Sequence, residues 1–284
     1  MDVRRAVGAL GRSLIISGVL ILLFVVYQLW GTGLAESRSQ DRLTKSFSQV
    51  LSAPPPGVEV PAPPPAPEGE AVALIKIPKI GVEKAVVQGV GLPELKKGPG
   101  HYPATPMPGQ PGNAAIAGHR TTYGAPFFRL DELQAGDEIL VTTRQGAFGY
   151  QVSERKVVSP EQTEVLNPTE DNRLTLSTCE PRFSAAKRLI VVAMLKSDAA
   201  QAPAEPAQPK GPAEPPAREA LSGAGATDGP AIAWGLAAAL VGLMTWLLGR
   251  LWRRWPAYLL GIPVFLVVLF FFFENFSRLL PSNY

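Results

Sequence analysis

The chain has 284 residues, 46% of them hydrophobic, with 27 Lys and Arg against 24 Asp and Glu. A formal net charge of +3, with much of the arginine beside apolar stretches, excludes a broad nucleic-acid-binding face. A single cysteine excludes an internal disulfide and any multi-cysteine zinc site.

From the N-terminus, residues 13–30 are almost entirely apolar, long enough to cross a bilayer as a helix. Arg4, Arg5 and Arg12 precede them and Glu36 follows, so residues 1–12 are expected on the cytoplasmic side and the chain passes outward. A cleaved signal peptide is the rival reading. The stretch is long for a signal core and Leu29 to Ala35 makes a weak cleavage site, which favours an uncleaved anchor. Residues 31–70, with the proline runs at Pro54 to Pro56 and Pro63 to Pro65, are expected to be a Pro-rich extracytoplasmic spacer.

Residues 71–198 carry the signals of a single domain, roughly 130 residues and enough to bury a core. Seven short runs rich in β-branched residues and bounded by Gly, Pro, Asn or Asp predict strands. They cover 73–77, 84–87, 114–117, 138–142, 150–153, 173–177 and 188–193. Helical turns are expected at 92–96 and 128–133. The spacing suits a small, mainly antiparallel barrel or sandwich.

Residues 199–229 form a second Pro/Ala-rich stretch, expected to be a linker. Residues 230–249 and 257–274 are two more candidate membrane helices, the latter ending in Phe270 to Phe273. Between them residues 250–256 hold Arg250, Arg253 and Arg254, a basic loop expected in the cytoplasm. Both arginine clusters agree on one topology: domain outside, and the tail 275–284 outside as well. A re-entrant hairpin is the rival for the last two stretches.

The chemistry-bearing residues lie in the central domain. Cys179 ends the run Leu174-Thr175-Leu176-Ser177-Thr178, and Pro181 follows it, which places the thiol where a strand turns into a loop. Arg188 opens the next run, Leu189-Ile190-Val191-Val192. His119 follows Ala114 to Gly118 and opens the loop Arg120-Thr121-Thr122-Tyr123-Gly124. Taken alone, a buried cysteine is a small hydrophobe and a loop histidine a bystander. Together, a thiolate, an imidazole and a guanidinium suffice for acyl transfer. His101, in Gly98 to Pro103, suits a structural or rim role, and no ligand spacing makes it a metal site. Asp131, Glu132, Asp137 and Glu138 read as a solvated face.

The two motifs, Gly112 to Arg120 and Leu176-Ser177-Thr178-Cys179 followed by Arg188 to Val192, resemble the active-site pattern of sortases, the membrane-bound cysteine transpeptidases of Gram-positive bacteria. The resemblance implies an eight-stranded β-barrel with short helices, here with three transmembrane helices. It implies Cys179 as nucleophile, His119 as general acid and base, and Arg188 as the donor to substrate or oxyanion; Arg182 and Lys187 are rivals for that last role. It implies a multi-pass cell-membrane enzyme that cleaves a Thr–Gly bond in a sorting signal of the LPxTG or LAxTG type through a thioester. The acyl group then passes to an amine, on a cell-wall precursor or a pilin lysine. Its partners are secreted proteins bearing such signals and the lipid bilayer. The stretch Gly118 to Leu133 is most like class E, an actinobacterial group, in which Tyr123 is expected to set the preference for Ala in the signal. Thr178 is expected to touch substrate. No cofactor is implied, although some sortases bind calcium through loop acids.

Two C-terminal spans depart from the simplest class E pattern and also occur in pilus-building class C enzymes. Those carry a lid with an Asp-Pro-aromatic motif, which is not visible between Ser52 and Ala71, so anchoring of surface proteins is favoured. The alternatives are a pilin polymerase or a non-enzymatic, membrane-tethered β-domain with an inert Cys179. A peptidoglycan transpeptidase of the Ser-x-Gly-Cys-x-Arg type fails, because Glu180 and Pro181 follow the cysteine.

Overall fold

The computed structural model describes residues 3–52, 66–196, 229–251 and 254–277. These fall into two units, one of residues 32–196 and one of residues 3–31 with 229–251 and 254–277. The proline runs at 54–65, the linker 199–228, the middle of the basic loop and the tail beyond Ser277 lie outside the described residues.

In the first unit, eight strands close a barrel: β1 (Ala71–Ile77), β2 (Val82–Gln88), β3 (Gly100–His101), β4 (Asn113–Ala117), β5 (Glu138–Thr143), β6 (Gly146–Val158), β7 (Arg173–Glu180) and β8 (Lys187–Leu195). Their order around the barrel is β1-β2-β3-β4-β7-β8-β6-β5, and β5 pairs back onto β1. All seven expected strands are present. The two-residue β3 is too short to leave a periodic signal. Two pairings, β2/β3 and β4/β7, are parallel. The parallel β4/β7 ladder positions the site.

Alternation along β7 and β8 sorts their side chains onto two faces. Leu174, Leu176, Leu189, Val191 and Ala193 fill the barrel with Ile75, Ile116, Ile139 and Phe127. On the other face Ala115 and Ala117 pack with Val90, Leu95, Tyr102 and Leu166 in a smaller apolar cluster. The expected turns appear as a short helix α3 (Leu92–Leu95) and a 3-10 turn (Leu130–Glu132).

The expected spacer differs from the structure over its first half. After helix α1 (Val3–Val26) and a π turn (Tyr27–Gly31), residues Thr32–Ser52 form a helix, α2. Its barrel-facing residues are largely polar: Thr32, Glu36 and Gln40 are buried, with Phe47 as the apolar anchor. Hydrophobic periodicity therefore gives no sign of it. The Gln40 amide donates to the carbonyls of Ala85 and Lys97, at 3.0 and 2.8 Å, and accepts from the Ala85 N–H at 2.7 Å. A primary amide carries the donor and acceptor of a peptide group, so Gln40 completes the stretch of β2 that β3 is too short to pair.

The second unit contains α1 and an antiparallel pair, α4 (Gly229–Leu251) and α5 (Arg254–Ser277). Among the described residues three helices are long and apolar enough to cross a membrane, within 10–52, 229–251 and 254–277. Glycines at seven-residue intervals on α4 receive aromatic rings at seven-residue intervals on α5. Gly235 faces Phe272, Gly242 faces Phe265 and Gly249 faces Tyr258, so close that an added Cβ would lie 3.2, 3.5 and 3.1 Å from the respective ring. Small residues of this kind let helices approach where lipid supplies no hydrophobic drive. On another side of α5, Leu269 and Phe273 pack with Tyr27 of the π turn.

Candidate active site

Cys179 sits one residue before the end of β7, directly opposite Arg188 on β8. Directly paired residues of neighbouring strands share a face, and this face is the one opposite the barrel core. On the other side of β7, Ala117 of the parallel β4 lies in register with Ser177. Two residues beyond that pair lie His119, in the loop after β4, and Cys179, still on β7. The Gly118 N–H donates to the Ser177 carbonyl at 3.0 Å, and the Thr178 hydroxyl donates to the Gly118 carbonyl at 2.7 Å. The adjacent strands β4, β7 and β8 thus lead into His119 and carry Cys179 and Arg188. Arg188 lies 4% exposed, and its Nη1 donates to the carbonyls of Ala185 and Lys187 at 2.9 and 3.1 Å.

Thr178, expected to touch substrate, is buried. It shares the parity of Leu174 and Leu176, which face the barrel interior, and its hydroxyl ties the Cys179 strand to the residue before His119. Tyr123 is buried and left-handed, with φ at 50°. Its ring centroid lies 5.0 Å from that of His119, and the Lys96 ammonium stands 5.4 Å from the Tyr123 centroid on the ring face. It therefore supports the histidine directly.

Burial sets the protonation states. Desolvation pushes the Cys179 thiol up from its ordinary value, and the charges of Arg188 and Arg120 oppose it. Desolvation, aided by Lys96, lowers His119 to about 3. The resting pair is therefore neutral thiol and neutral imidazole. Thr122 Oγ1 lies 3.4 Å from His119 Nδ1, while the buried Nε2 has no hydrogen-bond partner among the described residues. A ring nitrogen left open in this way is available to a reacting group.

Sequence reasoning passed over two residues of the site. Arg120, adjacent to His119, is 2% exposed and pairs with Asp131 at 3.0 Å and Glu180 at 3.3 Å. Asp131 also binds Arg182, so one carboxylate joins the residue after His119 to the loop after Cys179. The dipeptide His119-Arg120 was the available signal. Tyr102 is buried on the active face, where burial raises its phenol to about 12 and Ser177 hydrogen-bonds it. His101 is wholly interior: its ring nitrogens lie 3.0 Å from Gln88 Oε1 and from the Pro106 carbonyl, which makes its role structural. The four acids expected on a solvated face are each held by a cation: Asp131 as above, Glu132 by Arg129, Asp137 by Lys79 and Glu138 by Lys196.

A buried thiol opposite a guanidinium, with an imidazole in the loop after the adjoining strand, is a set of groups able to support acyl transfer. Residues 75–196 match the family model described as the Sortase domain, which makes this part of the chain a sortase domain. It is similar to sortase SrtE1 of Streptomyces coelicolor, with 33% identity over 201 residues, 64% of this chain and 55% of that protein. It is likewise similar to sortase D of Bacillus subtilis, with 35% identity over 128 residues, 43% of this chain and 63% of that protein. The chain thus spans less than two thirds of the length of either relative. Among solved structures, sortase E from Streptomyces avermitilis is 39% identical with a TM-score of 0.43, covering 46% of this chain and 91% of that one.

Proposed function

We propose that the protein is a membrane-anchored transpeptidase that cleaves the Thr–Gly bond of an LPxTG- or LAxTG-type sorting signal and transfers the threonyl acyl group to an amine. The observation that supports this reading is the register that sets Cys179 opposite Arg188 and Ser177 beside Ala117, two residues before His119. As Cys179 Sγ attacks the threonine carbonyl, its proton passes to His119, and Arg188 donates to the developing oxyanion. The imidazolium then protonates the departing glycine nitrogen, leaving a thioester on Cys179. An incoming amine gives a proton to His119, attacks the thioester carbonyl, and restores the thiol as the new amide forms.

The positive-inside pattern supports an extracytoplasmic domain and three membrane crossings. Sorting-signal-bearing secreted proteins are the donors in this reading, and the acceptor is an amine of the cell wall. The full chain, incubated with both peptide types and a glycine oligomer, tests it by mass spectrometry. A transfer product and a thioester, both lost in Cys179→Ala, are expected. No adduct from a folded chain overturns the reading in favour of an inert β-domain.

A further inference from the structure

The α2 helix reaches the loop that carries His119. The Tyr123 N–H donates to Thr32 Oγ1 at 3.2 Å. One turn on, Glu36 is 1% exposed and bound to Lys84 of β2 at 2.7 Å. Its carboxylate also lies against Gly124: a Cβ there would come within 2.4 Å of Glu36 Oε2, and the Gly124 φ of 73° is the left-handed conformation glycine adopts freely. One further turn on, Gln40 clamps β2. The three polar residues, spaced four apart, lie along one face of the helix.

On the loop side, the Ala125 N–H donates to the Thr122 carbonyl at 2.9 Å, and the Phe127 N–H to the His119 carbonyl at 3.2 Å. The ring of Tyr123 rests against that of His119. Among the described residues the imidazole has few other ties: its Nε2 is without a partner and its contact to Thr122 is long. The backbone of Tyr123 and Gly124 is therefore the support of the histidine, and α2 holds that backbone.

We propose that α2 is part of the catalytic apparatus: Thr32 and Glu36 are positioning residues that hold Tyr123 and Gly124, and through them His119, in working geometry. The inference rests on the transpeptidase reading. It makes residues 32–52 a requirement for turnover, where the sequence suggests only a tether.

The test uses the full chain in lipid nanodiscs, comparing wild type with Thr32→Val and Thr32→Ser. Valine keeps the shape and removes the acceptor, whereas serine keeps the hydroxyl. Thr32→Val is expected to lower kcat roughly tenfold while KM stays close to wild type, because misplacement of a catalytic group reduces rate more than binding. Thr32→Ser is expected to restore the rate. Hydrogen exchange should quicken in the peptide covering 118–127 of Thr32→Val and stay unchanged in β5 and β6, which separates loop release from general destabilisation. Turnover in Thr32→Val equal to wild type overturns the proposal. Higher turnover also overturns it and makes α2 a cover over the site. If wild type converts no sorting peptide, the transpeptidase reading falls. Loop exchange alone then decides whether α2 holds the loop, and an unchanged 118–127 rules that out.

Discussion

Cys179 and His119 owe their chemistry to a balance of burial and charge. Removing both from water favours their neutral forms, and the cations nearby recover part of the thiolate. The rate of Cys179 alkylation by iodoacetamide should therefore keep rising beyond pH 9, with no step near the ordinary imidazole range. Arg188→Ala removes the larger of the two attractive charges, so alkylation at pH 8 should slow several-fold; Arg188→Lys, which keeps the charge, should stay near wild type. With one cysteine in the chain, no second thiol confuses the reading. An Arg188→Ala rate equal to wild type would remove the electrostatic role assigned to this guanidinium. In transfer assays Cys179→Ala and His119→Ala should each cost roughly a thousandfold or more, and the double variant little beyond either, because the residues act as one unit.

Among the elements, the apolar pair α4 and α5 makes a sharp structural claim. Each glycine of the seven-residue series leaves room for one ring, so Gly242→Leu should drive Phe265 out of its seat. Separation of the pair is expected in detergent, seen as faster proteolysis between 251 and 254 and a lower unfolding temperature. Gly11 and Gly18 of α1 have nothing within 4 Å of an added Cβ, so Gly18→Leu should leave both readouts unchanged. Equal tolerance at Gly18 and Gly242 would refute ring-into-glycine packing. The strands were legible because alternation and turn residues are local signals. α2 was not, because its buried face uses Thr32, Glu36 and Gln40, which a search for apolar periodicity passes over.

For the molecule as a whole, two observables follow. His101 and His119 are held neutral by burial, at about 4 and about 3, below the ordinary value of 6.5. The unfolded chain binds these protons more readily, so the stability they contribute is complete above pH 6.5 and is lost as pH falls toward 4. Between pH 6.5 and 4.5 the urea midpoint of the barrel should fall by an amount worth roughly 2 kcal/mol for each histidine. His119→Gln should flatten that slope, and a slope unchanged by the substitution would argue that other groups carry it. Orientation gives the second observable. A tag after Tyr284 should be reached by antibody from outside intact cells, and a tag before Val3 should not. A protected C-terminal tag would sink the three-crossing topology.

Local patterns in the sequence carried the seven longer strands and the three apolar helices, and singled out Cys179, His119 and Arg188 as candidates. Each depends on neighbours within a few positions, which a single chain displays directly. The side-by-side placement of β4 and β7 depended on the tertiary structure, because parallel strands some sixty residues apart in sequence leave no local mark. So did the inward turn of Thr178, the cation network of Arg120, Asp131 and Arg182, and the support of Tyr123 by α2. Protonation was decided there as well: the thiol and the imidazole are both neutral because folding removes them from water, and desolvation belongs to the closed barrel rather than to any segment of it.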